Sequence, residues 1–566
     1  MIEDKKVLNR REFLKLLGIA FCGSLTTSLN NSQTVSSAGA IPNLRFERQN
    51  IQSGTTLPNI IVLLLDALSA RHLSLYNYHR KTSPNFERFA RRAIVYNNHY
   101  SPANFTSPST ASCLTGCYPW THRALHLFGL VRNEFVQSNL FRFLSPVYYQ
   151  AAFTQNKLAD ALLYQLGETL DAHYRPDMFC IAGSALYPNL RKDEALNALY
   201  AYDQFQYINK KPAGSLFLAL LRDLNTQIKY RLQLQKYASI YPQANLVELD
   251  SPDTVPNLPS LTNADVYFTL DQMFEGVTGM LDEVAASAAK VAKPFLAYIH
   301  LLPPHAPYVP STRFRDSFND GWAPKPKPET PLSDSHISQK QLDIKRQRYD
   351  EFIADMDFEF GRLLDHLEQS GRLDDSILIV TSDHGETFER GEEAHSTPTL
   401  YEQLIRIPLL ISVPGQSNRY DISTLTSTVD IVPSLLKIAG ISVPGDARLE
   451  GRVLPGFENW PPASGSLIDP STYADDRSLF VVEAQSCPLT QRIQGDMAST
   501  AVVNGRYKLV HYTHYRQVRD LYEFYDLQND PEELENIYKT NPLARDYQAE
   551  LEKALRQADN RLFGKR

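Results

Sequence analysis

Four short apolar runs, each leading straight into a polar group, restrict this chain more than any other feature. Asn59–Leu65 ends at Asp66, and Val147–Phe153 is followed by Lys157. Pro294–Ile299 leads to His300 and then Pro303-Pro304-His305, and Ser376–Thr381 ends at Ser382-Asp383-His384-Gly385. None of the four alternates apolar with polar residues, so each predicts a strand buried on both faces, as in a parallel sheet. Helical segments lie between them. Ser83-Pro84 opens one with a capping serine and a proline at the first helical position. In another, Ile353, Met356, Phe360, Leu363, Leu364 and Leu367 repeat at three and four residues and stop near Gly371. Alternating strands and helices predict an α/β fold with a mostly parallel central sheet flanked by helices. In such sheets ligands bind beyond the carboxyl ends of the strands, where all four polar groups fall.

A chain of 566 residues, 43% of them hydrophobic, has material for more than one domain. From about Ser478 the pattern changes to short strands, Leu479–Glu483 and Tyr507–Tyr512, with a helix-rich tail after Asp530-Pro531. This predicts a catalytic domain over 41–465 and a smaller C-terminal α+β subdomain over 466–566, with an antiparallel sheet and a terminal helix. Residues 180–259, rich in Tyr, Gln and Leu, read as a helical insertion, and the proline-rich Trp322–Pro331 as an extended connector. Cys113 and Cys117 read as a packed pair. The net charge of -7 and pI of about 6.1 provide no global cationic field. Nucleic acid is therefore not an expected partner, and a nucleic-acid phosphodiesterase is disfavoured. The basic cluster Lys345-Arg346-Gln347-Arg348 reads as a solvated helix face.

At the N-terminus, Asn9-Arg10-Arg11-Glu12-Phe13-Leu14-Lys15 precedes an apolar stretch, Leu16–Leu25, and then Ala38-Gly39-Ala40. The stretch is too short to span a bilayer, and the order is that of a secretory signal. The arginine pair resembles a twin-arginine signal, although Asn9 departs from the usual Ser or Thr. Residues 1–40 are thus expected to be a signal peptide. The expected location is periplasmic or secreted, with the twin-arginine export machinery as a partner.

Asp66, Asp383 and His384 offer two carboxylates and an imidazole to a divalent cation. Mixed oxygen and nitrogen donors suit zinc or manganese better than magnesium. The segment Asn104–Ser112 is open to two readings. Its Ser and Thr residues cap a helix, or Thr106 is a nucleophile with Pro108 in the first turn and the free helix amides pointing back at it. A cation on that hydroxyl would lower its pKa. His300, inside an apolar run, reads as a core histidine.

Several further pieces occur in a fixed order. They are Asn59-Ile60-Ile61-Val62 through Asp66, Leu75-Tyr76-Asn77-Tyr78, and Thr106-Ser107-Pro108-Ser109 with Leu114-Thr115-Gly116. Next come Pro304-His305-Ala306-Pro307-Tyr308, Ser382-Asp383-His384-Gly385-Glu386, Leu400-Tyr401-Glu402 and Ile407-Pro408. Asp430-Ile431-Val432-Pro433-Ser434-Leu435-Leu436 and the stretch Leu521–Glu532 complete the set. In this order the chain resembles the sulfatase branch of the alkaline-phosphatase superfamily over most of its mature length. The resemblance implies an alkaline-phosphatase-like fold and metal-dependent cleavage of a sulfate or phosphate ester, borne on a glycan or a lipid head group.

Departures from the pattern bear on the reaction. Thr106 stands where sulfatases carry a Cys or Ser that becomes formylglycine, an aldehyde threonine cannot give. Thr110 stands at the motif's arginine, Ala67 at the second Asp of an opening pair, and Ala159 at a histidine following the motif lysine. Loss of that second Asp removes an oxygen ligand for calcium. The remaining set is similar to that of phosphoethanolamine transferases and lipoteichoic acid synthases, which use an unmodified threonine and one metal. It implies a single divalent cation on Asp66, Thr106, Asp383 and His384, zinc or manganese before calcium, with Thr106 as nucleophile. His395, eleven residues after His384, matches a substrate-binding histidine. Lys157, His305 and His395 are expected to hold the ester oxygens or protonate the leaving group. Two alternatives compete: an arylsulfatase-like hydrolase without formylglycine, and a non-catalytic envelope binding protein that kept the fold. The presence of all four ligands weighs against the second.

Overall fold

The four apolar runs become neighbouring strands because each is apolar on both faces and needs cover on both. The computed structural model describes residues 57–126, 129–174, 270–333, 337–395, 397–442, 448–461, 477–484, 492–493 and 496–564, with strand pieces at 180–181, 247–248 and 266–267. The expected signal and nearly all of the 180–259 insertion lie outside the described residues. The large sheet has eight strands. They are β1 (Asn59–Leu65), β2 (Ile94–Tyr96), β3 (Tyr149–Thr154), β4 (Ala172–Tyr174), β5 (Phe295–Leu301), β6 (Ser376–Thr381), β7 (Leu409–Ser412) and β8 (Tyr420–Ile422). Across the sheet they run β8-β2-β7-β6-β1-β5-β3-β4. Only β7 runs against its neighbours; the other pairings are parallel, as the uninterrupted apolar runs predict.

Alternation along β1 builds a core on each side. Ile60, Val62 and Leu64 face one layer with Leu114, Leu162 and Leu435. These come from α2 (Thr106–Thr115), α3 (Lys157–Leu166) and α6 (Ile431–Ile438). Ile61, Leu63 and Leu65 face the other layer with Phe86, Val277, Ile353 and Phe360. Those belong to α1 (Pro84–Ala90), α4 (Leu270–Lys290) and α5 (Gln339–Gln369). The result is an α/β/α sandwich. No helix among the described residues is long and apolar enough to cross a membrane.

A second sheet is antiparallel in simple order: β9 (Ser478–Ala484), β10 (Ala498–Asn504), β11 (Tyr507–Thr513) and β12 (Asp520–Asp526). Its Val482, Val502, Leu509 and Phe524 pack on Leu551 and Leu555 of α7 (Ala544–Phe563). Its opposite face, with Leu479, Val481, Val503 and Val510, covers Tyr100, Leu400, Leu404 and Ile405.

Two strand boundaries differ from the expectation. Val147 and Tyr148 do not enter β3; both amides bond to Leu144 O and close the preceding helical turn. β5 runs on to Leu301 and takes in His300, which sits opposite Leu64 and Thr154. The basic cluster is only in part a solvated face, because its second residue turns inward. Arg346 is 3% exposed and bonds to Asp343 and to Phe388 O, while Lys345 pairs with Glu393. These contacts tie α5 to a two-stranded ribbon, Thr387–Glu389 with Glu392–Ala394, that leads to His395. Cys113 and Cys117 are buried and free, as a packed pair should be.

Candidate active site

Parallel register brings the strand ends to one level. Leu64 lies opposite both Thr381 and His300, so Asp66, His300 and the Ser382–Glu386 turn meet at the carboxyl edge. The Asp66 amide still bonds to Leu301 O at 2.9 Å, which fixes the carboxylate at the rim. Asp383 Oδ1 accepts from Ala67 N at 3.1 Å and from His384 N at 2.9 Å. That leaves Asp383 Oδ2 turned the other way.

Gly385 allows the turn to lie flat on the chain beside it. Its amide donates to Leu404 O at 2.7 Å, and a Cβ there would stand 2.0 Å from Gln403 O. His384 Nδ1 then donates to Gly385 O at 3.0 Å, so Nε2 carries the free lone pair. This nitrogen lies 3.4 Å from Thr106 Oγ1, 3.6 Å from Asp66 Oδ1 and 3.5 Å from Asp383 Oδ2.

Thr106 is the first residue of α2, after Phe105, which makes no side-chain cap. Its hydroxyl is therefore not spent capping the helix, and the first of the two sequence readings does not hold for Thr106. Pro108 falls in the first turn, and Gly116 at φ +68 closes the other end.

The donor set fits a divalent cation. Asp66, Asp383 and His384 are fully buried, and their ligand atoms lie within 4.8 Å of one another. Asp66 Oδ1 and Asp383 Oδ2 have no hydrogen-bond partner. Two dry, unpaired carboxylate oxygens facing one imidazole lone pair cost several kcal/mol unless a cation lies between them. Burial alone would raise the Asp66 carboxyl. The His300 hydrogen bond and the nearby His305, His300 and His384 outweigh it and hold Asp66 well below the usual carboxylate range.

Of the remaining expected residues, His395 and His305 join the site. The His395 ring lies 4.2 Å from that of His384 and 4.8 Å from that of His305, centroid to centroid. His395 Nδ1 is hydrogen-bonded to Glu386 Oε1, and the Tyr308 hydroxyl donates to Glu386 Oε2. His305 Nδ1 donates to Ala306 O at 2.6 Å, which leaves its Nε2 unspent there. Lys157 opens α3 next to the site, but its side chain lies outside the described residues.

Two site residues were missed. His300 is buried but is not inert core: its Nε2 is 3.3 Å from Asp66 Oδ2 and 3.7 Å from Asp383 Oδ2. Leu301 and Leu302 continue the apolar run past it, so hydropathy reads it as core. Asn156 caps α3 and also reaches Asp66 Oδ2 at 2.6 Å and Thr106 Oγ1 at 3.3 Å. An Asn between a strand and a helix signals a cap; nothing local signals a second role.

Known proteins share this chain's sequence pattern and its fold. The family described as Sulfatase matches residues 58–167 and 228–441, and that of the N-sulphoglucosamine sulphohydrolase C-terminal region matches 493–561. Arylsulfatase K of Bos taurus is 27% identical over 44% of this chain and 48% of its own length. An N-acetylglucosamine-6-O-sulfatase of Bacteroides thetaiotaomicron is 24% identical over 86% of this chain and 83% of its own length. The crystal structure of a phosphonate monoester hydrolase of Agrobacterium radiobacter shares the fold, with a TM-score of 0.60 and 19% identity over 88% of this chain and 95% of that one.

Proposed function

This chain belongs to the sulfatase family, and from that membership we propose a metal-dependent hydrolase of phosphate or phosphonate esters that uses Thr106 itself as nucleophile. The observation that carries the reading is Thr106 Oγ1, at the start of a helix and 3.4 Å from His384 Nε2, beside the two unpartnered carboxylate oxygens. Asp66, Thr106, Asp383 and His384 would hold a divalent cation, zinc or manganese by donor type, which would supply charge that eases loss of the hydroxyl proton and offsets charge on the ester. Thr106 releases its proton to water and its oxygen attacks phosphorus in line. The P–O bond to the leaving alcohol breaks, and the departing oxygen takes a proton from His395 Nε2. Glu386 holds the opposite ring nitrogen, so Nε2 is the one available. His305 and Lys157 bind the remaining ester oxygens. Water then attacks the phosphothreonine, returns a proton to His395 and frees Thr106. An alcohol in place of water makes the same intermediate that of a transferase.

A sulfate ester is the second reading. It is favoured by the match of residues 493–561 to a sulphohydrolase C-terminal region and by the sulfatase relatives, one of which names an amino sugar. Such relatives also support an ester carried on a glycan. Export through the twin-arginine machinery is part of the proposal and rests on Arg10 and Arg11. Replacing both by Lys should strand the protein in the cytoplasm, and unaltered export would remove that part.

The test is initial rates of the metal-reconstituted protein on nitrophenyl phosphate, phosphodiester, phosphonate and sulfate, beside Thr106→Ala and Asp383→Asn. Phosphorus-ester turnover should fall by roughly a thousandfold or more in Thr106→Ala. Asp383→Asn should lose the metal in chelator competition. Turnover that survives Thr106→Ala, on sulfate or phosphate, would sink the assignment.

A further inference from the structure

We infer that Asn156 is a catalytic residue, the hydrogen-bond donor that sets and stabilises the oxygen of Thr106; the inference rests on the nucleophile reading above. Its Oδ1 accepts from two backbone amides, Leu158 N at 2.8 Å and Ala159 N at 3.4 Å. Only the carbonyl oxygen of an amide can accept, so the side chain cannot be turned the other way round. Nδ2 must therefore point away from the helix, and there it meets Asp66 Oδ2 at 2.6 Å and Thr106 Oγ1 at 3.3 Å. Nδ2 carries two hydrogens, one for each acceptor.

The consequence for Thr106 is chemical. An N–H already committed to the threonine oxygen leaves the hydroxyl proton to face elsewhere, and it opposes the negative charge that grows as this proton departs. Asn156 is 6% exposed and Thr106 1%, so bulk solvent is largely kept from the bond. A donor fixed in advance at a dry site stabilises developing charge without the reorganisation water would need. Asn156 is itself fixed, because its other end is the cap of α3 at the end of β3. The second hydrogen, on Asp66 Oδ2, keeps the free Oδ1 turned toward His384. Capping alone does not call for Asn, since Ser and Asp cap equally well. Among these caps, only Asn presents an acceptor to the helix and a donor to the site at this reach.

Asn156→Ser keeps a capping oxygen and deletes the donor; Asn156→Asp keeps the cap and length and replaces the donor with an acceptor. The metal-loaded full chain is mixed with a nitrophenyl phosphate, quenched in acid at intervals, and weighed intact for phosphate on Thr106, beside Thr106→Ala. Adduct formation should slow roughly 10- to 100-fold in the Ser variant and further in the Asp variant, adduct breakdown should slow as well because the same oxygen then leaves, and KM should stay within about threefold of the parent. The melting midpoint of the Ser variant should stay that of the parent. Adduct formation at the parent rate in the Ser variant overturns the role of Asn156 and leaves the nucleophile reading standing. Slowing that tracks a loss of melting midpoint in both variants also overturns it, because that is what a mere cap would give. A parent that forms no adduct, with Thr106→Ala still active, overturns both.

Discussion

Asp66, Glu386 and Glu483 all sit out of reach of water, and burial pushes each toward the neutral acid. Their neighbours then separate them. Against burial, the His300 hydrogen bond and the nearby His305 and His384 lower Asp66, and Asp66 stays ionised. Glu386, also buried, is drawn down by His395, His305 and the Tyr308 hydroxyl. Glu483 has only the hydroxyls of Tyr515 and Ser499, and burial pushes it from 4.5 up to about 8. Between those two values the folded chain keeps a proton that the unfolded chain has lost, so stability falls as pH rises through this window. Glu483→Gln should therefore stabilise the protein by roughly 2–4 kcal/mol at pH 8 and by almost nothing at pH 4.5. Urea unfolding at the two pH values checks this; a difference that does not change with pH would mean Glu483 does not titrate there.

At the scale of elements, the site depends on turns that bring short polar segments against backbone. The Ser382–Glu386 turn follows β6 directly and is pinned by Gly385 N on Leu404 O and by Ser382 Oγ, which donates to His384 O at 2.7 Å. Gly385→Ala would drive a methyl to 2.0 Å from Gln403 O, a backbone atom that cannot swing aside. The turn must lift, and His384 moves with it. A loss of about 1–3 kcal/mol in stability is expected, along with weaker metal binding in chelator competition. Parent-like values for both would show that the turn has room the geometry denies. The ribbon before His395 is held in a similar way, by Arg346 of α5 on Phe388 O and by Lys327 of the connector on Glu389 at 2.8 Å.

Over the whole molecule, the second sheet braces the loop that the turn rests on. Lys508 of β11 is fully buried; it donates to Leu400 O at 3.0 Å and to Glu402 at 3.1 Å, and it forms an ion pair with Glu533 at 2.5 Å. Glu402 N in turn donates to Glu533 Oε2 at 2.9 Å. Burial alone would lower the Lys508 ammonium, but the two carboxyls raise it, and it remains the cation that both share. Lys508→Met would leave two acids in a dry cleft and should cost about 3–5 kcal/mol by chemical denaturation near neutral pH. Adding Glu402→Gln and Glu533→Gln should recover most of that loss. If the single variant is as stable as the parent, the cluster does not hold the sheets together.

The sequence by itself determined the four central strands, the parallel sheet and the polar groups at its rim, because uninterrupted apolar runs demand burial on both faces and polar groups must stop where burial stops. Asp66, Asp383 and His384 were legible for that reason, and the antiparallel second sheet was legible from its change of pattern. The ordered pieces from Asn59 to Glu532 pointed to the family before any geometry was known. Tertiary structure alone decided which neighbours share an atom. His300 lies in register with Thr154 and Leu64, and its nitrogen meets a carboxylate that lies 234 positions away in the chain. Asn156 turns one end to a helix and the other to Thr106, fifty residues earlier. Arg346 looks solvated along the chain and is buried in space. Local sequence records the length and polarity of a side chain, whereas its partner is set by strand register and packing between distant segments.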